Sequence, residues 1–208
     1  MPDDHKRRKP IERFMIKQLY IVRHGDPHEG HPDRPGDPPL STLGRRQARR
    51  RAHRLAGVGI DRIVSSPQQR ARDTAAPLAE RLGLDIEIID GLAEVDVGVA
   101  RYRSMETLRA EEGRRFAEFL ASPARFFGRD PDEYRASVVG AFDAILQSPK
   151  GERVAVFSHG MTIKTLLLAV LGLEESRNAQ FSFAHCSLTR LSGREFGRLR
   201  LDSLNEPL

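Results

Sequence analysis

Two short apolar runs in the sequence are each followed closely by a histidine and a glycine. The first run, LYIV, leads through an arginine into His24, and the second, VAVFS, leads directly into His159. Short runs of this kind that end near a glycine are typical of buried strands. Because ligands bind at the carboxyl ends of strands in an open α/β sheet, the two imidazoles can share one pocket. An imidazole in such a pocket can act as a nucleophile, a proton carrier or a metal ligand.

Two arginines accompany these histidines. Arg23 precedes the first one, and a further short run, RIVSSP, leads into a predicted helix that carries Arg70. Guanidinium groups bind phosphate oxygens in a bidentate manner, and helix N-termini at the same edge also favour anions. The residue types therefore predict a phosphoryl-binding site at the ends of three strands. Its members are Arg23, His24, Arg70 and His159.

The loop after His24 offers a metal site as an alternative. Asp26, His28 and His31 follow at spacings that a metal ion could use. The loop between residues 27 and 39 is rich in proline and glycine, however, and it would not preorganise such ligands. We therefore predict no metal, and we expect His28 and His31 to lie in an exposed loop.

Apolar runs alternate with helical patterns along most of the chain, which predicts an α/β fold with a mostly parallel sheet. The alternation breaks near residue 100, where two helical stretches follow each other without a clear strand between them. We interpret residues 100–147, approximately, as a helical insertion that covers one edge of the sheet. We also expect Ser66 and Pro67 to begin the helix that carries Arg70, and Pro77 to kink or break it.

The chain of 208 residues has the length of one domain. We assign residues 17–208 to that domain and residues 1–16 to a flexible basic arm, which lacks the apolar core of a secretory signal. The single cysteine, Cys186, fits a reducing compartment, and no apolar run approaches the roughly 20 residues needed to cross a bilayer. We therefore expect a cytoplasmic protein without membrane contact.

The formal net charge is +5, and arginine is the main cation. Nucleic acid, a membrane surface, an anionic small substrate or simply a solvated face could account for it. The densest basic run, RRQARRRAHR, contains no aromatic residue for base stacking, and no nucleic-acid-binding motif is present. We expect a small phosphorylated substrate and no nucleic acid. The sequence indicates no oligomeric state.

Several segments of the chain resemble those of the histidine phosphatase superfamily, which is also called phosphoglycerate mutase-like. The Arg-His-Gly triplet of that family is matched by Arg23, His24 and Gly25. Its later segments are matched, in the family's order, by LSTLGRRQA, SSPQQRARDTA with Arg70, LAEVDVG with Glu94 and FSHGMTIKTLL with His159. The resemblance extends over roughly residues 18 to 170 and implies a three-layer α/β sandwich.

The resemblance also implies a covalent route without metal or cofactor. His24 would attack phosphorus as a neutral imidazole, with its other ring nitrogen held by an acceptor such as a backbone carbonyl. Arg23, Arg70 and His159 would bind the phosphoryl oxygens, with His159 protonated against a phosphate dianion. Glu94 would protonate the leaving oxygen and then activate water.

The sequence departs from the family pattern around the substrate. Asp26 and Pro27 stand where the family commonly has Glu-Thr, no asparagine follows in that loop, and the chain has no tryptophan. In the segment VDVGVARYRSMETL we expect three residues to line the pocket and to favour an anionic or polar substrate: Arg101, Tyr102 and Arg103. His185, which follows a predicted strand, is a further candidate pocket residue.

These features favour a phosphomonoester hydrolase that acts through a phosphohistidine on a small phosphorylated metabolite or a phosphoprotein. Two alternatives stay open. One is a phosphoglycerate-type mutase of the same superfamily, which would need a more enclosed site than a compact insertion provides. The other is a non-catalytic module that binds a phospho-ligand or a protein.

Overall fold

A computed structural model of the chain describes residues 17–208, so the predicted basic arm lies outside the described residues. The strands of this part are β1 (Lys17–Arg23), β2 (Arg62–Ser65), β3 (Ile86–Ile88), β4 (Arg153–Ser158), β5 (Leu188–Gly193) and β6 (Arg200–Glu206). Its α-helices are α1 (Thr42–Leu55), α2 (Gln69–Leu82), α3 (Met105–Glu112), α4 (Phe116–Ala121), α5 (Pro123–Phe126), α6 (Pro131–Gln147) and α7 (Gly160–Val170). No helix between residues 17 and 208 is long and apolar enough to span a membrane.

One sheet runs through the described part of the chain, with the strand order β3-β2-β4-β1-β5-β6. The strands β1 to β4 pair in parallel, whereas β5 is antiparallel to β1 and β6 is antiparallel to β5. The prediction of a mostly parallel α/β sheet is therefore confirmed. Because β1 and β4 are parallel neighbours, Arg23 lies opposite Ser158 in the register, and the histidine that follows each strand reaches the same edge.

The continuous apolar run of β1 is explained by burial on both faces of the sheet. Leu19 and Ile21 belong to a cluster that includes side chains of α6 and α7. Tyr20 and Val22 point the other way and belong to a cluster with side chains of α1 and α2. Alternate residues of one strand thus join two separate cores, and the fold has three layers as expected.

The helical segment near residues 100–147 divides into two parts, which corrects the expectation that all of it covers a sheet edge. The helix α6 packs on a face of the sheet, where Phe142 and Ile145 are fully buried in the same cluster as Leu19. The short helices α3 to α5 form a small cluster of their own, which includes Phe119 and contacts Met161 at the start of α7. The two parts therefore have different neighbours, the sheet for α6 and the start of α7 for α3 to α5.

The start of α2 also differs from the expectation. The helix begins at Gln69, and Ser66 is not its N-cap. Pro77 lies inside α2, which continues past it without interruption. Leu78, next to this proline, is fully buried against the sheet, and this packing offsets the hydrogen bond that proline cannot donate.

Candidate active site

His24 is fixed in a single tautomer at the end of β1. The ring is buried, and Nδ1 lies 2.8 Å from the backbone carbonyl oxygen of Gly25. Because a carbonyl can only accept, Nδ1 carries the proton and Nε2 keeps its lone pair. Burial, and after it the charge of Arg70, holds the pKa of His24 well below its ordinary value. The side chain is therefore a neutral imidazole with a free lone pair on Nε2, and a backbone carbonyl holds its other ring nitrogen.

His159 stands beside His24 at the end of β4, with ring centroids 5.1 Å apart. Its Nε2 lies 2.7 Å from Ser66 Oγ, which also accepts a hydrogen bond from the backbone N–H of Gln68. The serine can donate its own proton to Nε2, which leaves the ring proton on Nδ1. That Nδ1 is buried and has no hydrogen-bond partner among residues 17–208. Burial, followed by the charges of Arg70 and Arg23, lowers the pKa of His159; a phosphate dianion would act in the opposite direction.

The two guanidinium groups have spare donors at this place. Arg70 is fully buried and donates from Nη2 to Asp96 Oδ1 at 2.8 Å, while Arg23 donates to the carbonyl of Phe183. Arg70 Nε and Nη1 and Arg23 Nε are buried and lack a hydrogen-bond partner within the described residues. An unsatisfied buried donor costs about 1–3 kcal/mol. A tetrahedral anion would satisfy these donors, so their placement favours anion binding.

Glu94 lies on the same cavity as His24. Its carboxyl accepts two backbone N–H groups, from Val95 at Oε1 and from Met161 at Oε2, each at 2.9 Å. Burial, and after it the charge of Asp96, raises the pKa of Glu94 above its ordinary value. A raised pKa keeps the acid protonated toward neutral pH, as a proton donor to a leaving oxygen requires.

Of the three residues expected in the substrate pocket, the structure places two on the cavity. The Tyr102 ring is buried, and Arg70 Cζ lies 4.7 Å from its centroid. Burial raises the pKa of Tyr102 to about 12, so its hydroxyl stays neutral. Arg103 also lines the cavity and pairs with Glu112. Arg101 is a correction: it is exposed, outside the cavity lining, and donates to Glu111 at 2.7 Å.

His185 packs against His24 but does not line the cavity, which corrects its prediction as a pocket residue. The two ring centroids are 5.5 Å apart, and His185 Nδ1 is 3.6 Å from Asp26 Oδ1. Burial, followed by the charge of Arg23, lowers the pKa of His185 to about 4. A neutral ring at this place packs against the nucleophile without adding charge to the site.

Comparison with known proteins agrees with this arrangement. The family described as "Histidine phosphatase superfamily (branch 1)" matches residues 19–207. The chain belongs to this superfamily. A relative in Cronobacter sakazakii, named "Probable phosphoglycerate mutase GpmB", is 32% identical over 180 residues, which are 84% of each chain.

Solved structures of the superfamily share the fold. A mycobacterial glucosyl-3-phosphoglycerate phosphatase superposes with a TM-score of 0.72 at 26% identity and covers 92% of this chain and 99% of its own. A phosphoserine phosphatase of Entamoeba histolytica, in complex with 3-phosphoglyceric acid, superposes with a TM-score of 0.67 at 26% identity, covering 91% and 97%. Both sequence and structure thus relate this chain to proteins named as phosphatases or mutases of phosphorylated small molecules.

Gln68 and Asp96 are part of the site, although the sequence did not single them out. Gln68 Oε1 accepts the backbone N–H of Glu94 at 2.6 Å, and its Nε2 donates to Asp96 Oδ1 at 3.0 Å. The same aspartate oxygen accepts from Arg70. One glutamine therefore connects the proposed acid to the carboxylate that orients a phosphate-binding arginine. The only local signal was position, because Gln68 precedes Arg70 by two residues and Asp96 follows Glu94 by two.

The loop histidines form no part of this cavity. His28 and His31 contact each other edge to face, with centroids 5.1 Å apart, and neither lines the cavity that holds His24. Between residues 17 and 208, no three His, Cys, Asp or Glu side chains are grouped so that they could hold a metal ion.

Proposed function

We propose that this protein is a phosphomonoester hydrolase that forms a phosphohistidine at His24 and needs no metal. The observation that carries the proposal is the fixed tautomer of His24 beside the unpartnered donors of Arg23 and Arg70. A nucleophilic lone pair and guanidinium groups ready for phosphate oxygens are what an in-line attack on phosphorus needs. The arginines supply the positive charge that a metal would otherwise provide.

The reaction has two steps. In the first, His24 Nε2 attacks phosphorus, the bond from phosphorus to the leaving oxygen breaks, and Glu94 gives its proton to that oxygen. In the second, water attacks the phosphohistidine, Glu94 takes a proton from the water, and the bond from nitrogen to phosphorus breaks. Arg23, Arg70 and His159 bind the phosphoryl oxygens in both steps. Proton transfer by a positioned acid such as Glu94 accelerates a reaction by about 10²–10⁴-fold.

A phosphoglycerate-type mutase is the second candidate, because the curated relatives carry that name. A mutase returns the phosphoryl group to a second hydroxyl, whereas a hydrolase passes it to water. The solved structures named as phosphatases support hydrolysis on small phosphorylated molecules. We also propose that the protein works in the cytoplasm, because the lone Cys186 fits a reducing compartment.

The test is a screen of phosphate esters with the wild type, His24→Ala and His53→Ala, the last a control on the exposed side of α1. We expect hydrolysis by the wild type and the control, none by His24→Ala, and a covalent phosphoenzyme that is acid-labile and base-stable. With 3-phosphoglycerate, release of inorganic phosphate supports the hydrolase, and formation of 2-phosphoglycerate supports the mutase. Binding of inorganic phosphate without turnover of any ester would instead favour the non-catalytic module.

A further inference from the structure

We propose that the site selects phosphate esters whose leaving alcohol is apolar and discriminates against esters whose leaving group carries a carboxylate. The proposal rests on the hydrolase function proposed above and names the substrate class for that same cavity. It runs against the sequence-based expectation of a polar or anionic substrate. Two independent observations carry it, one on the shape of the wall and one on its charge.

The first observation is an apolar wall on the cavity that holds His24 and Glu94. We define this apolar wall by its five members: Met105, Leu108, Phe119, Phe127 and Met161. Leu108 and Phe119 are almost completely buried, and Phe119 packs edge to face on Phe127 with centroids 6.2 Å apart. These contacts preform the wall, so an apolar group gains burial there without first ordering the side chains.

The second observation is that Arg103, on the cavity lining beside this wall, is already paired. Arg103 is the one arginine of the cavity lining that comes from the segment beside the apolar wall. It pairs with Glu112 and lies 3.6 Å from Glu111, which also pairs with Arg101. Glu112 also pairs with Arg115 at 3.2 Å, so Arg101, Arg103 and Arg115 share these two carboxylates.

A carboxylate on the leaving group would therefore meet apolar side chains and paired arginines. Losing its hydration without gaining a free cation is unfavourable. Arg23 and Arg70 cannot serve it, because their spare donors would hold the phosphoryl oxygens. The proposed selectivity separates the chain from the structural neighbours in complex with phosphoserine or 3-phosphoglyceric acid, both of which carry a carboxylate.

Benzyl phosphate and 4-carboxybenzyl phosphate test the proposal as a matched pair. Both leave through a benzylic oxygen, so the chemistry at phosphorus is alike and only the distal charge differs. We expect kcat/KM of the wild type to be roughly tenfold or more higher for benzyl phosphate, within the range that a pocket mismatch produces. Equal values, or a preference for the carboxylated ester, would overturn the proposal. If neither ester nor any other is hydrolysed, the proposed function itself fails.

Two neighbouring phenylalanines provide a variant and its control. Phe127 lines the cavity, whereas Phe126 is equally half-buried in the same cluster but does not line it. Phe127→Ala should reduce the ratio of kcat/KM for benzyl phosphate over methyl phosphate by roughly tenfold, the value of losing a well-packed aromatic contact. Phe126→Ala removes a ring that packs on Phe127 with centroids 5.2 Å apart, so it should lower that ratio much less than Phe127→Ala does. Equal effects of both variants on the ratio would contradict a wall contact, and thermal unfolding identifies any variant that fails to fold.

A charge variant should move specificity in the opposite direction. Glu112→Gln leaves Arg103 without its main partner, so a guanidinium becomes available to a carboxylate. We expect kcat/KM for 4-carboxybenzyl phosphate to rise about fivefold relative to benzyl phosphate, since the released guanidinium can donate about one charge-assisted hydrogen bond to the carboxylate of the ester. The control is Glu118→Gln, whose carboxyl pairs with Arg115 away from the cavity. An unchanged ratio in Glu112→Gln would show that Arg103 plays no part in the discrimination.

Discussion

Asp96 Oδ1 accepts a hydrogen bond from Arg70 Nη2 at 2.8 Å, and the same carboxylate acts on Glu94 through its charge. One buried acid thus orients the arginine that we propose to bind phosphate and adjusts the proton affinity of the proposed general acid. Removing its charge should therefore separate the two effects in a pH profile.

Asp96→Asn should shift the basic limb of the kcat/KM profile toward lower pH. Burial and then Asp96 raise the pKa of Glu94, so without the Asp96 charge the acid loses its proton at a lower pH. The measurement is the hydrolysis of an alkyl phosphate, whose leaving oxygen must be protonated. Asp37→Asn is the control, because Asp37 also lies near Arg70, at 3.8 Å, but its charge is not among the main causes of the raised pKa of Glu94. A basic limb that stays in place in Asp96→Asn would contradict the assignment of Glu94 as the acid.

Thr74→Val should destabilise the protein and slow the reaction. Thr74 Oγ1 accepts the backbone N–H of Gly25 at 2.9 Å and donates to the carbonyl of Arg70 at 2.7 Å, so it joins the nucleophile's turn to α2. Valine keeps the shape but leaves the buried N–H of Gly25 unpaired, at a cost of about 1–3 kcal/mol, while the carbonyl of Arg70 keeps its bond within α2. Urea unfolding measures the loss, and Thr74→Ser, which keeps the hydroxyl, should recover most of it. Equal stability of the valine and serine variants would contradict this role.

Gly44→Ala should be strongly destabilising because of a close approach between backbones. A Cβ at this position would lie 2.1 Å from the carbonyl oxygen of Asp26, in the loop that follows His24. Forcing the two apart costs about 1–3 kcal/mol and moves that loop. Gly57→Ala, where a Cβ would meet nothing within 4 Å, is the matched control and should change the free energy of unfolding little. Chemical denaturation of both variants checks the difference.

The stability of the wild type should depend on the neutral histidines of the site. The pKa values of His24, His159 and His185 are all lowered in the folded protein, chiefly by burial. Below about pH 6.5 the unfolded chain therefore binds more protons than the folded one, and the free energy of unfolding falls as the pH falls. Each histidine contributes at most about 1.4 kcal/mol per pH unit to this slope.

His185 provides the cleanest measurement of that effect. Its pKa in the folded protein is lowered to about 4, so its share of the stability is present above pH 6.5 and is lost as the pH falls toward 4. In phosphate-free buffer, His185→Gln should make the free energy of unfolding less dependent on pH within that window. The raised pKa of Glu94 makes the stability change with pH in the opposite direction. This contribution is the same in wild type and variant, so it cancels when their free energies of unfolding are subtracted. Parallel curves would show that His185 does not titrate as described.

Local patterns in the sequence were sufficient to identify the strands that carry the site. The run before Arg23 is apolar at every position because both faces of β1 are covered, and this leaves a continuous signal that needs no tertiary information. Parallel strands place their carboxyl ends at one edge of a sheet, and this rule correctly predicted that His24 and His159 lie close together. The arginines followed from the same rule, since each lies at or just after a strand end.

Tertiary packing decided what these local patterns leave open. The amphipathic helices after residue 100 have similar patterns, yet α6 completes a core on the sheet, whereas α3 and α4 contribute members of the apolar wall. The hydroxyl of Ser66 contacts a histidine 93 residues away, besides accepting the backbone N–H of Gln68 just before α2. Tertiary packing likewise places Asp96 beside Arg70 in the site and pairs Arg101 with Glu111 outside it. A side chain's partner is set by which distant backbone passes beside it, whereas strand and helix type are set by near neighbours.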